Sequence, residues 1–206
     1  MPKDAAVSPR DHLVATARLV LDDHGLEGLT LRQIARQGGC SHGAPLRHFP
    51  SLAALLATVA AQGFRELFAA IHAATAAVRS RTTARARLAA AGRAYVRFAH
   101  ANPGVFGLMF RPERLDMTDP DYLAAGHAAF NQLRGLCAAA QREGMSPKVR
   151  TDHLAAVVWA AVHGLSQLSL HGALGVLSND ATNVDAIQDV LNQLLLQVPR
   201  KRRSSR

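Results

Sequence analysis

The sequence predicts an all-α protein of about nine helices: a small three-helix head followed by a larger helical bundle. Three observations carry that prediction. Apolar residues recur at spacings of three and four along most of the chain. No stretch of strand length alternates apolar with polar residues. Helix-starting and helix-stopping residues punctuate the chain at intervals that suit helices.

Ser8, Pro9 and Asp11 open the first helix with a capping hydroxyl, a proline at the first helical position and an acid in the first turn. Leu13, Val14, Ala17, Val20 and Leu21 form its one-sided stripe, and Gly25 ends it. Thr30 caps a second, short helix, and Gln33 completes a capping box. Leu31, Ile34 and Ala35 supply its inner face, and Gly38-Gly39 stops it. Ser41 then caps a third helix ending at the aromatic Phe49, with Cys40 before it small enough to tuck into a core. Two short helices joined by such a turn have the geometry that presents a recognition helix to the major groove.

Ser51 caps a long helix through about residue 77, with Leu56, Ala60, Phe64, Leu67 and Ile71 on one face. A fifth helix over 83–101 turns Leu88, Tyr95 and Phe98 inward and Arg93 and Arg97 outward. Asn102-Pro103-Gly104 restarts the chain into a short helix from Val105 to Phe110, and 111–120 reads as a surface loop. A seventh helix spans 121–143, an eighth runs from Thr151 to about 172, and a ninth runs from Thr182 or Asn183 to Pro199. The expected divisions are a head over 1–50, a body over 51–198 and a basic tail over 199–206.

With 206 residues, 49% of them hydrophobic, the chain can bury a substantial core. Its longest uninterrupted apolar run, Leu154 to Val162, falls well short of the ~18 residues that signal a membrane span. The N-terminus lacks a signal-peptide apolar region, so a cytoplasmic protein with no membrane partner is expected. Cys40 and Cys137 lie in separate predicted helices without metal-ligand spacing and are expected to be reduced.

The formal charge of +9 is unevenly spread. Residues 1–62 hold six basic and five acidic side chains, whereas 63–115 hold nine and two. Arg200, Lys201, Arg202, Arg203 and Arg206 crowd the tail, which reads either as a source of non-specific DNA contacts or as a disordered solubilising end. The case for DNA therefore rests on the helix-turn-helix motif and not on overall charge.

The segment GCSHGAPLRHFPSLAALL, residues 39–56, resembles the helix-turn-helix signature of the tetracycline-repressor (TetR) family. That resemblance implies an all-α homodimer whose N-terminal domains bind a palindromic DNA operator. It further implies a C-terminal domain that dimerises and binds a small effector, whose arrival releases the DNA. Within that family, Trp159-Ala-Ala-Val-His163-Gly164 is similar to the Trp…His-Gly (WHG) pattern of one C-terminal domain type, as is the run from Asn102 to Phe110.

His42, Gly43 and Ala44 are expected in the first turn of the recognition helix, where side chains meet base edges. His42 suits a guanine or a phosphate, Ala44 suits a thymine methyl, and Gly43 lets the backbone approach. Thr30, Arg32, Ser41 and Arg47 complete the expected DNA surface, with an acidic neighbour, Asp22 or Asp23, as the alternative partner for Arg47. His48 matches the family's phosphate-contacting histidine. Leu46 and Leu52 depart from it, standing where a phosphate-binding Tyr and Lys are usual, which predicts weaker binding with a flatter salt dependence.

An apolar effector pocket is expected from Phe64, Phe68, Tyr95, Phe98, Phe106, Met109, His127, Phe130, Trp159 and His163, with plain core as the competing reading of each. Val158, Ala161, Leu165 and Leu168, with Ile187, Leu191, Leu194 and Val198, form two heptad-like seams. They suit either a four-helix dimer contact or the chain's own core. No nucleophile elbow, zinc-protease motif, phosphate-binding Gly loop or dinucleotide fingerprint is present. No catalytic residue, metal or cofactor is expected; His163 and His171 form only a weak pair. A ligand-responsive repressor is the function these features favour, and a constitutive, low-specificity DNA-binding or interaction module on the same fold is the alternative.

Overall fold

The computed structural model describes residues 8–79, 82–177 and 183–195, which hold ten α-helices and no strand. They are α1 Pro9–His24, α2 Leu31–Gln37, α3 Ala44–His48, α4 Leu52–Ala76, α5 Ala84–Ala101, α6 Pro103–Met109, α7 Pro120–Arg142, α8 Thr151–Leu170, α9 Ala173–Leu177 and α10 Val184–Leu195. The chain divides into two compact units. Unit 1 comprises the residues up to Glu66 together with Asn102–His127, and unit 2 the remainder. By packing, the residues of the expected head share a unit with α6 and the start of α4.

In unit 1 the first-helix signals act as the sequence implies. The Asp11 amide donates to Ser8 Oγ at 3.1 Å, Pro9 sits in the first turn, and Gly25 leaves the helix at φ +65°. Leu13, Val14, Ala17, Val20 and Leu21 are all buried. Each leucine or valine among them contributes about 1.5–3 kcal/mol relative to staying in water. Close backbone approaches hold α6 in this unit. A Cβ on Gly63 would lie 2.5 Å from Val105 Cγ1 and 2.8 Å from Met109 Sδ, and one on Gly104 would lie 3.0 Å from Asp22 Oδ1. Arg18 adds paired bonds to the Glu66 carboxylate and a 2.9 Å bond to Asn102 Oδ1.

The expected surface loop at 111–120 is more ordered than its composition implies. Pro112–Arg114 form a single 3₁₀ turn, Leu115 is buried, and the Asp116 amide donates to the Ala53 carbonyl at 3.2 Å. Arg114 reaches back to the Leu26 carbonyl. One buried leucine and one arginine anchor convert a charged, proline-rich stretch into part of the unit.

Unit 2 is built on Leu88, Cys137, Ala140, Met145, Leu154, Ala155 and Val158, with Phe130 and Leu136 packed against them. Burial pushes the Cys137 thiol up to about 11. The Glu143 carboxylate caps α5 from outside, accepting the Ala84 amide at 2.8 Å. The eighth helix stops at Leu170 and Gly172, φ +69°, leads into the separate five-residue α9. The sequence reading ended the eighth helix near 172 and assigned no helix to 173–177, and so counted one helix fewer. Asn183, one of the two expected starts, caps the last helix: its Oδ1 accepts the Ala186 amide at 3.0 Å. The expected tail at 199–206 and the stop at Pro199 lie outside the described residues.

α4 and α8 are long and apolar enough to cross a membrane by length and composition, which the longest-run criterion missed. Their apolar content has other uses. Two-thirds of the α4 window is buried inside the protein, and α8 packs Leu154, Ala155 and Val158 into the core of unit 2.

Candidate DNA-reading surface and effector cluster

The reading surface is built from α2, the turn after it, and α3. Thr30 Oγ1 accepts the Gln33 amide at 3.1 Å, forming the first half of the expected capping box. The α2 chain ends through the Gly38 amide bonded to the Ile34 carbonyl, followed by Gly39 at φ +64°. Cys40 then closes back on α2, its amide donating to the Ala35 carbonyl at 3.0 Å. Pro45 and Phe49, one turn apart, are buried and anchor α3.

The start of the recognition helix differs from expectation. Ser41 does not cap it: α3 begins at Ala44, behind Gly43 as the flanking residue, and the Ser41 carbonyl accepts the Ala44 amide at 2.9 Å. Pro45 supplies the reason. A helix capped at Ser41 would place Pro45 fourth, where a backbone N–H must donate to the cap carbonyl; a start at Ala44 places it second, where no donor is needed. His42 and Gly43 therefore sit in the turn entering the helix and not within its first turn.

Thr30, Arg32, Ser41, His42, Gly43, Arg47 and His48 are all exposed, and Ala44 is half-buried. A Cβ on Gly43 would meet nothing within 4 Å, so this backbone is open to close approach. Arg47 forms no ion pair with Asp22 or Asp23 among the described residues. Asp23 instead accepts from Gln37 Nε2 at 3.1 Å. Leu46 is 56% exposed.

Two positioning residues escaped sequence reasoning. His12 Nε2–H donates to the Gly38 carbonyl at 3.0 Å, tying α1 to the turn of the motif. The Arg10 guanidinium lies 4.8 Å from the Phe49 ring centroid and donates to Thr58 Oγ1, joining α1, the end of α3 and α4. Partners 26 and 48 residues apart leave no local signature from which either bond could have been found.

The ten expected effector residues fall into different surroundings. In unit 1, Phe64, Phe106 and Met109 are buried, with Phe64 and Phe106 each edge-on to Phe110, while His127 is exposed. In unit 2, Phe98 is buried, Phe68 is stacked on His72, and the other four converge. Phe130 stands edge-on to Trp159 at 6.2 Å. Trp159 Nε1–H donates to Tyr95 Oη at 3.2 Å, and Tyr95 Oη and His163 Nδ1 share a hydrogen bond of 2.8 Å. On its other ring nitrogen, His163 Nε2 lies 3.4 Å from Gln167 Nε2, one turn on along α8. Burial lowers the His163 pKa and raises that of Tyr95, so both groups stay neutral in this chain of bonds.

Of the expected dimer residues, Val158 and Leu165 are buried in unit 2, Ala161, Ile187 and Leu191 are half-buried, and Leu168 is 47% exposed. The Leu194 side chain and Val198 lie outside the described residues. The outward apolar edge of α8 carries Val157, Ala160 and Leu168, with Ala161 and Gly164 half-buried beside them; it shares Ala161 and Leu168 with the expected seam.

Residues 13–59 match the model of bacterial regulatory proteins of the tetR family, and residues 88–191 match a tetracyclin repressor-like C-terminal domain. An uncharacterized HTH-type transcriptional regulator of Mycobacterium tuberculosis is 26% identical over 86% of this chain and 78% of its own length. A solved structure of a protein of unknown function from Rhodococcus sp. is 34% identical, covering 96% of this chain and all of that one, with a TM-score of 0.75. A TetR family transcriptional regulator of Thermus thermophilus shares the fold at 16% identity and a TM-score of 0.66, over 92% of this chain and 99% of its own.

Proposed function

The chain belongs to the tetR family of bacterial regulatory proteins, and from that membership we propose that it is a homodimeric, cytoplasmic, non-enzymatic repressor released from a palindromic operator by a small, largely apolar ligand. The observation that carries the reading is the surface from Thr30 to His48. It is a two-helix motif whose inner residues are buried and whose polar ones face outward, with Gly43 clear of every neighbour. Two such motifs related by a twofold axis would meet major grooves about one helical turn apart, or a multiple of it.

The dimer contact we assign to the exposed edge of α8, where Ala160, Ala161 and Gly164 permit close helix approach between Val157 and Leu168. The effector we assign to the Phe130–Trp159 aromatic pair, with Tyr95 and His163 as polar partners. A ligand there can empty the operator only through its difference in affinity for the bound and released conformers. The test is fluorescence anisotropy on the palindromic DNA upstream of the gene against a scrambled duplex at physiological salt. Preference for the palindrome supports a specific regulator, whereas equal affinity turns the reading to a constitutive DNA-binding module.

A further inference from the structure

The most exposed apolar side chain on the reading surface is Leu46, in the middle of α3 and 56% exposed. Its helix neighbours divide cleanly. Pro45 and Phe49 point into the core, and Leu46, Arg47 and His48 fan across the opposite side. Within the motif itself, from residue 28 to residue 48, the sequence holds Arg32, Arg36 and Arg47 and not one Asp or Glu. An exposed leucine on a surface that meets a polyanion has no hydrogen bond to give a phosphate. Its gain on binding must come from apolar area removed from water. In the major groove the apolar feature of the base edges is the thymine 5-methyl group.

Resting on the DNA-binding reading above, we propose that Leu46 is a specificity-determining residue that packs on a thymine 5-methyl in each half-site. Ala44, to which sequence reasoning gave that role, is half-buried and a shorter side chain than Leu46. The position thus exchanges a backbone-phosphate contact for a base-reading one. This family member loses sequence-independent affinity there and gains a preference for T·A over C·G.

The experiment begins with selection of binding sites from a random duplex pool by the full chain. Each thymine of the enriched site is then replaced singly by deoxyuridine, which removes one methyl and nothing else. At one position per half-site the replacement should weaken binding about fourfold. Leu46→Ala should bind the parent site more weakly, melt at the same temperature, and lose the deoxyuridine effect at that position. Leu46→Met should keep it. An enriched site at which no thymine responds, or an effect that persists unchanged in Leu46→Ala, overturns the assignment to Leu46 and leaves DNA binding standing. Failure to enrich any site overturns both.

Discussion

The reading head and the aromatic cluster of unit 2 use their polar side chains in opposite ways. Around the reading turn, alongside the Arg10–Thr58 and Gln37–Asp23 side-chain pairs, three side chains bond to backbone: His12 to the Gly38 carbonyl, Thr30 to the Gln33 amide, Ser51 to the Ala54 amide. Around Trp159, side chains bond to one another, in a run from indole to phenol to imidazole. A backbone anchor is fixed by the fold and holds a surface in one shape. A side-chain network can exchange partners when a new donor or acceptor arrives, without unfolding any helix. The first suits a template that must match a rigid duplex, the second the ligand site proposed above.

The sharpest way to break this contrast is through packing. Phe106 is fully buried in unit 1, so Phe106→Ala should cost about 3–5 kcal/mol in urea denaturation. A cost near 1 kcal/mol would mean that unit 1 relaxes around the loss and is no rigid template. Next comes the base-facing turn. His42→Ala should weaken operator binding by ~1–3 kcal/mol if it reads a base, with an unchanged melting temperature. A fall in melting temperature instead would move His42 from the reading surface to the scaffold.

Removing a backbone anchor should lower both stability and DNA affinity. Thr30→Ala is expected to cost ~1 kcal/mol through the lost helix cap, and operator binding should weaken with it. In unit 2, Tyr95→Phe removes the shared hydroxyl while keeping the ring. A loss of ~0.5–1.5 kcal/mol is expected, along with altered emission from Trp159, the chain's single tryptophan. Unaltered emission would dissolve the network as a unit. The smallest effect concerns pH. Burial depresses the folded-state His163 pKa, so below the ordinary histidine value of ~6.5 the unfolded chain takes up the proton more readily. Stability should therefore be full above that pH and decline as pH falls through it, and His163→Gln should flatten the decline.

The sequence disclosed the all-α class, the caps at Ser8, Thr30 and Ser51, and the buried stripe of the first helix, because each is a local pattern within one or two turns. What it misplaced had non-local or competing causes. Ser41 has the chemistry of a cap, but Pro45 four residues on excludes a helix starting there; both residues were in view, and the proline's donor requirement was the one to weigh. The α8 seam, which the sequence left open between a dimer contact and the chain's own core, divides in the structure: Val158 and Leu165 are buried and Leu168 is exposed, a distinction that spacing alone does not make. The Arg10 and His12 bonds join segments whose meeting no periodicity announces.

The contrasting exposure of the two cysteines has a practical consequence. Cys137 is wholly buried with its thiol held at about 11, whereas Cys40 is half-exposed at the hinge between α2 and the reading turn. Thiol reagents react with the thiolate, so a maleimide dye should attach at Cys40 alone in the native chain. The protein thereby carries a ready-made reporter beside its reading edge, and its occupancy of a promoter can be followed in real time with no engineered residue.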